Sequence, residues 1–179
     1  TSIPLSDYTL DRMFINANTE QDYVLVDKFT CGNVNGLFTS KAGIDPCSTA
    51  TLHNPIGNLA NTPTNTNGGL YKAVKTRGEN YFLTSIFIYS ALARLAKAHA
   101  DAGTIATCAF KDVAPYLPKG CNNNALKDSN DASVVYEASG YSNCGKTGAI
   151  TNFAKTTHNG QACGVADLNG NMYEVASGF

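Results

Sequence analysis

The sequence has no tryptophan, and only 15% of its residues are charged, well below the rough quarter of an average domain. Its polarity comes from Asn, Thr, Ser and Gly. That composition suits a loop-rich extracellular or virion surface better than a cytosolic helical enzyme. The 13 Lys and Arg nearly balance the 14 Asp and Glu, for a formal net charge of -1. No stretch of one sign stands out, so neither nucleic-acid binding nor electrostatic docking to a membrane has a footing. The longest mainly apolar run, Tyr81 to Ala93, falls short of the roughly 20 residues that cross a bilayer, and Arg94 and Lys97 come at once after it. There is no signal peptide and no initiating Met, which reads as a processed chain or a fragment. No Cys-x-x-Cys knuckle is present, which argues against a zinc site. There is no Gly-x-Ser-x-Gly elbow, no Gly-x-x-x-x-Gly-Lys and no Rossmann glycine pattern. Lys75-Thr76-Arg77-Gly78 is too short and too isolated to hold a phosphate.

At 179 residues the chain is long enough for one domain with a proper core. Its six cysteines are Cys31, Cys47, Cys108, Cys121, Cys144 and Cys163. They read either as disulfides or as buried free thiols packing like small apolar groups. Pairing sequence neighbours (Cys31–Cys47, Cys108–Cys121, Cys144–Cys163) is the simplest of many connectivities.

Local patterns place the elements. Asp22 to Phe29 is rich in β-branched and aromatic residues and is expected to be a strand. Cys31 to Gly69 is mostly turn chemistry, with Gly, Pro, Asn and Ser throughout. Asn80 to Ala102 is expected to be a long helix. Its stripe is Ile88, Leu92, Leu95 and Ala102, with partly buried His99 on the same face and Gly103 as the C′ residue. The breadth of apolar surface near Phe82, Phe87 and Tyr89 predicts packing against a sheet. A short helix is expected at Val113 to Leu117 and a strand at Val134 to Tyr136. Lys119 to Ser133 is a polar loop, and Gly140 to Gly164 is turn-rich. The Asn and Asp residues between Asn122 and Asp131 could bind calcium or sugar hydroxyls, but such residues more often serve the local turn. His53, His99 and His158 show no metal spacing. His158 lies in the turn before Cys163, where it is placed to support the next segment.

That segment, Cys163 to Val175, is the most informative stretch of the chain. Asn169-Gly170 is a strong turn pair, because both residues tolerate positive φ. Asn171 to Val175 alternates too poorly for an ordinary hairpin strand. The stretch resembles the Gly-Leu-Tyr-Asp-Met-x-Gly-Asn-Val-Trp-Glu-Trp signature of the formylglycine-generating-enzyme (sulfatase-modifying-factor) family. Gly164, Asp167, Gly170, Asn171 and Glu174 match it, and Tyr173 and Val175 stand at its tryptophans. The same signature occurs in phage tail-fibre ligand-binding domains and in the variable proteins of diversity-generating retroelements. The match is specific over Asp112 to Val175.

The resemblance implies an α+β, C-type lectin-like fold, with one long helix on a small, mainly antiparallel sheet and long irregular loops. Residues 1–179 would form a single lectin-like domain, incomplete at its C-terminus and finished by another chain or a further segment. By the family's motif, a calcium ion would be held by the carbonyls of Asn169, Gly170 and Met172 and the Glu174 carboxylate, with more oxygens from water or a second loop. The family's enzymes carry their active cysteine pair downstream of the signature, and no cysteine here has a matching place. The resemblance therefore points away from an enzyme. It implies a non-enzymatic domain of a virion (tail fibre, receptor-binding or decoration protein) that binds a host-surface receptor or glycan. Such proteins are usually closed homo-oligomers, here expected to be a trimer. Two alternatives stand beside it: an architectural virion or filament subunit that binds only neighbouring chains, and an enzyme of the formylglycine-generating type.

Overall fold

The computed structural model describes residues 8–48, 66–112, 117–122 and 124–178. The short helix expected at Val113 to Leu117 lies outside them except for Leu117, as does His53. The described chain is a mixture of two helices and three separate antiparallel strand pairs.

The first two pairs are tight hairpins. β1 (Ile15–Asn16) pairs with β2 (Thr19–Glu20), and β3 (Cys31–Val34) with β4 (Leu37–Ser40). Each turns on two residues of positive φ, Ala17-Asn18 (47° and 66°) and Asn35-Gly36 (53° and 82°). These are type I′ turns, whose twist matches that of the strands they join. The strand expected over Asp22 to Phe29 is not formed. An alternation is present, with Tyr23 and Leu25 exposed and Val24 and Val26 half-buried. Among the described residues, however, no neighbouring strand pairs with it. The third pair joins β5 (Tyr136–Ala138) to β6 (Gly145–Ile150) through a bulged register. The strand expected at Val134 begins two residues late. β6 crosses a stretch that reads as turns, because glycines at 145 and 148 sit inside it.

Helix α1 (Asn67–Lys75) also falls partly in sequence that reads as turns. Thr66 caps it, its hydroxyl accepting the Gly69 N–H at 2.9 Å. Leu70 and Ala73 pack with Phe38 and Cys47. Thr76, at its end, donates to the Ala73 carbonyl (2.6 Å) and accepts the Phe38 N–H (3.0 Å), fastening the helix to β4.

Helix α2 (Ile86–Ala102), capped by Ser85, is the long helix the sequence predicts, but it begins six residues after the expected start at Asn80. Its buried stripe is Ile88, Ala91, Leu92, Ala96 and Ala100, so the expected face is rotated: Leu95, His99 and Ala102 are exposed. Small alanines let Cys108 and Phe110 approach closely at Ala100 and leave the bulkier Leu95 on the flank. Gly103 comes next, but in extended rather than left-handed conformation (φ -79°). It is needed for space, since a Cβ there would come within 2.7 Å of the His99 carbonyl and 2.8 Å of Cys108. The principal regular contacts are α1 with β4, and α2 with the 3-10 turn at Arg12–Phe14. It is thus α1, not α2, that packs most extensively on a strand. No described helix is long and apolar enough to cross a membrane.

Two stitches bring the chain's last segment to the middle of the molecule. Ala166 N–H bonds to the Lys28 carbonyl at 2.9 Å. Farther on, Ser177 runs alongside Ser85, taking the Ile86 N–H (2.9 Å) and giving its own to Thr84 (3.0 Å). The signature stretch is suspended between them, across the start of α2.

Candidate functional site: a cavity walled by the signature loop

The loop holds its shape through three left-handed residues, Asp167, Gly170 and Asn171, with φ of 60°, 78° and 67°. Asp and Asn are the side-chain-bearing residues that reach this region most readily. The turn pair is therefore Gly170-Asn171, one residue later than the expected Asn169-Gly170. Residues 171–176 form no strand, as the poor alternation implies. Asn169 donates its side-chain amide to the Pro118 carbonyl at 3.0 Å. Asn171 N–H reaches the Cys121 carbonyl at 2.7 Å. The Asn171 amide then clasps Gly145, accepting its N–H (2.7 Å) and donating to its carbonyl (3.2 Å). Gly120 and Gly170 let the two segments meet backbone to backbone. His158 supports the loop's entry: its Nδ1 accepts the Val165 N–H at 3.0 Å, and its backbone N–H bonds to the Val165 carbonyl. Its ring also meets His99 edge-on, with centroids 5.9 Å apart.

The Asn122–Asp131 loop serves itself. Asp128, 3% exposed, accepts the N–H groups of Gly120 (2.9 Å), Asn130 (2.8 Å) and Asp131 (3.0 Å). Asp131 accepts from Ser133 and pairs with Lys155 at 3.0 Å, and Lys155 also reaches Asp112 at 2.9 Å. Burial raises the Asp131 carboxyl, but these partners outweigh it and hold it below the usual range.

Beside the signature loop lies a cavity of about 750 Å³. Its walls are the Val26–Cys31 segment, the exit of α1 (Arg77), Tyr81 to Thr84, Tyr89 and Leu92 of α2, and Asn171 to Val175. Tyr81, Phe82 and Tyr173 are the exposed aromatics among them, and Tyr173 is fully exposed at 105%. Arg77 is bonded to Asp27 and lies over the Tyr81 ring at 4.2 Å. Glu174 accepts hydrogen bonds from the Tyr89 hydroxyl and from Thr30 (3.2 Å). Burial, with Glu174 beside it, pushes the Tyr89 hydroxyl far up, so it stays protonated and donates. Cys31 and Cys47 line the same cavity. Burial, together with Asp27, pushes the Cys31 thiol up, and burial pushes Cys47 up to about 12. In the reduced chain both stay protonated at neutral pH, and Cys31 donates to Asp27 at 3.3 Å.

Of the residues the family's motif assigns to calcium, Glu174 is engaged by two hydroxyls and the Gly170 carbonyl accepts the Met172 N–H at 2.9 Å. Among the described residues, no three His, Cys, Asp or Glu side chains gather where they could hold a metal ion. Two of the four groups that the resemblance assigns to calcium thus already serve hydrogen bonds within the protein, and the ion takes six to eight oxygens. We therefore expect a chelator to move the melting temperature by less than about 1 °C. A fall of several degrees on adding EDTA, restored by calcium, would refute this reading of the loop.

All six cysteines are free thiols in the structure. The signature identifies one wall of the cavity from sequence, but the opposite wall is not evident there. Arg77 reads in sequence only as part of a failed phosphate loop, and Tyr89 only as apolar helix surface. Their signal is an arginine a few residues ahead of a tyrosine- and phenylalanine-rich helix start. Comparison with known proteins finds no family model that matches the chain and no curated protein that does.

Proposed function

We propose that the chain is a non-enzymatic, lectin-like binding domain of a virion, and that it takes a host-surface glycan in the cavity beside the signature loop. The observation that carries this reading is the cavity's lining. It combines exposed aromatic rings at Tyr81 (one face under Arg77), Phe82 and Tyr173 with hydrogen-bonding side chains of both kinds at Arg77, Asn143 and Glu174. A sugar ring has an apolar C–H face and a polar edge. Aromatic faces, negative at their centre, attract the first, and carboxylate, amide and guanidinium groups read the second. The acids are already engaged by Arg77, Tyr89 and Thr30, and the thiols are held protonated, so the cavity contains no activated nucleophile among the described residues. The loop's match to the signature favours the C-type lectin-like family of folds and a place on a virion or other extracellular surface.

The test is binding of the purified chain to an array of immobilised oligosaccharides and to whole bacterial cells. Tyr173→Ala touches a fully exposed side chain and leaves the fold alone. It is expected to weaken binding roughly tenfold, as loss of one stacked aromatic would. A chain that binds no glycan on the array, or binds one with the same affinity after Tyr173→Ala and Tyr81→Ala, would overturn the reading.

A further inference from the structure

The fold sets two pairs of cysteines beside one another. Cys31 opens β3, whose one edge pairs with β4. Across its other edge, Gly32 forms an antiparallel bridge with Pro46, and Cys47 N–H bonds to the Cys31 carbonyl at 2.8 Å. That register sets Cys31 directly opposite Cys47. Directly opposed residues of antiparallel strands share a face, with Cβ atoms about 4.5–5.5 Å apart. A disulfide needs roughly 3.5–4.5 Å between Cβ atoms, so a small strand adjustment suffices.

The second pair crosses the expected neighbour order. Cys121 Sγ lies 3.8 Å from the carbonyl oxygen of Asn143, the peptide that leads into Cys144. Both thiols are buried, and each lies beside Tyr136 or the glycine packed on its ring. Asn171 is gripped from these same two places, by the Cys121 carbonyl and by Gly145. We propose that the chain carries two disulfides, Cys31–Cys47 and Cys121–Cys144, which clasp the cavity's β3 wall and the two anchors of the signature loop. The neighbour pairing of Cys121 with Cys108 and of Cys144 with Cys163 is then displaced.

Each bond forms by exchange with a low-molecular-weight disulfide such as oxidised glutathione. One cysteine thiolate attacks it and releases a small thiol. The second cysteine then displaces the other small thiol. In balance, two cysteine thiols and one small disulfide give one protein disulfide and two small thiols, with two electrons and two protons passing to the oxidant. Burial pushes Cys47 up to about 12 and Cys144 up to about 11, so few thiolates exist in the folded chain at neutral pH. The bonds should therefore form during folding rather than after it.

The experiment is refolding in a mixture of oxidised and reduced glutathione, trapping with iodoacetamide, and tryptic peptide mapping without reduction. Lys41 lies between Cys31 and Cys47, and Lys127 between Cys121 and Cys144, so trypsin separates each pair and a cross-link is seen directly. The expected result is one linked peptide pair for each bridge, and a melting temperature about 10 °C lower after reduction. Linked peptides joining Cys108 to Cys121 or Cys144 to Cys163 would overturn the proposal. So would alkylation of Cys31, Cys47, Cys121 and Cys144 in protein whose melt shows it folded.

Discussion

Gly120→Ala is expected to lower the melting temperature by roughly 8–16 °C. Gly120 faces the backbone of Asn169, and a Cβ built on it would overlap that carbonyl oxygen and lie 2.5 Å from the carbonyl carbon. The obstacle is backbone, so no rotamer change relieves it. The two segments must separate, and with them go the Asn169–Pro118 and Asn171–Cys121 hydrogen bonds. Each bond is worth about 1 kcal/mol and overpacking roughly another 1–3 or more. A loss on the order of 4 kcal/mol or more consumes much of a domain's usual stability of roughly 5–15 kcal/mol. Gly36→Ala is the control. Gly36, unlike Gly120, has positive φ (82°), but nothing lies within 4 Å of its would-be Cβ, so the substitution should cost only about 1 kcal/mol of backbone strain. Thermal melts by circular dichroism decide the matter. A Gly120→Ala chain melting within a few degrees of the parent would mean that the two segments do not touch as described.

Asp167→Asn is expected to stabilise the protein at about pH 8 and to do little at about pH 4. Asp167 is 4% exposed, and neither carboxyl oxygen makes a well-formed hydrogen bond. The Tyr136 hydroxyl and the Gly148 N–H lie near it without closing one, although they temper its charge. Burial pushes the carboxyl up from 3.8 to about 6, with a smaller contribution from the charge of Glu174. A group whose folded value is raised favours the folded state fully below its unfolded value and loses that advantage as pH rises through the folded value. The loss is thus complete above about pH 6, and a shift of some two units corresponds to roughly 3 kcal/mol at most. Asparagine keeps the left-handed backbone and removes the charge. The expected gain at about pH 8 is roughly 1–3 kcal/mol, or about 3–10 °C in melting temperature. His158 pulls the other way: burial and His99 lower it, so its protonation opposes folding as pH falls below 6.5. Cys121, Cys144, Tyr136 and Glu174 also face Asp167. The quantity to read is therefore the difference between parent and variant at each pH. An equal difference at both would mean that ionisation is not its cause.

The features legible in the sequence are those whose signals are local. α2 is legible because its cap, its length and its terminating glycine all lie in or beside it. Its buried face is legible only in part, because which residues turn inward is set by tertiary neighbours, such as Cys108 and Phe110 against Ala100, which the sequence does not place. The β3–β4 hairpin has a clear marker in Asn35-Gly36 but is hidden inside a glycine- and serine-rich stretch. The Asp22 to Phe29 pattern predicts a strand because periodicity reports which side faces inward, not whether a partner exists. α1 escapes detection for the opposite reason: Gly68-Gly69 reads as a turn, although Thr66 caps them into a first helical turn. The signature loop is found by its residues, but its partners at residues 118–121 and at Gly145 are brought to it only by folding. The wall formed by Arg77, Tyr81 and Tyr89 is likewise a tertiary fact.

The Asn171 side chain also protects a strand. Gly145 turns its N–H and carbonyl away from β5, toward what would be an open edge of β6. Two residues along, Thr147 gives its N–H to Ile44 (2.9 Å) and takes that of Gly43 (2.6 Å), so that part of the edge is already covered. At Gly145 the primary amide of Asn171 plays the same part, imitating a peptide group of a neighbouring strand. A carboxylate could take the N–H but has no donor for the carbonyl. The strand thus ends in a counterfeit neighbour, and a β-strand from another molecule finds no row of unpaired groups there on which to grow.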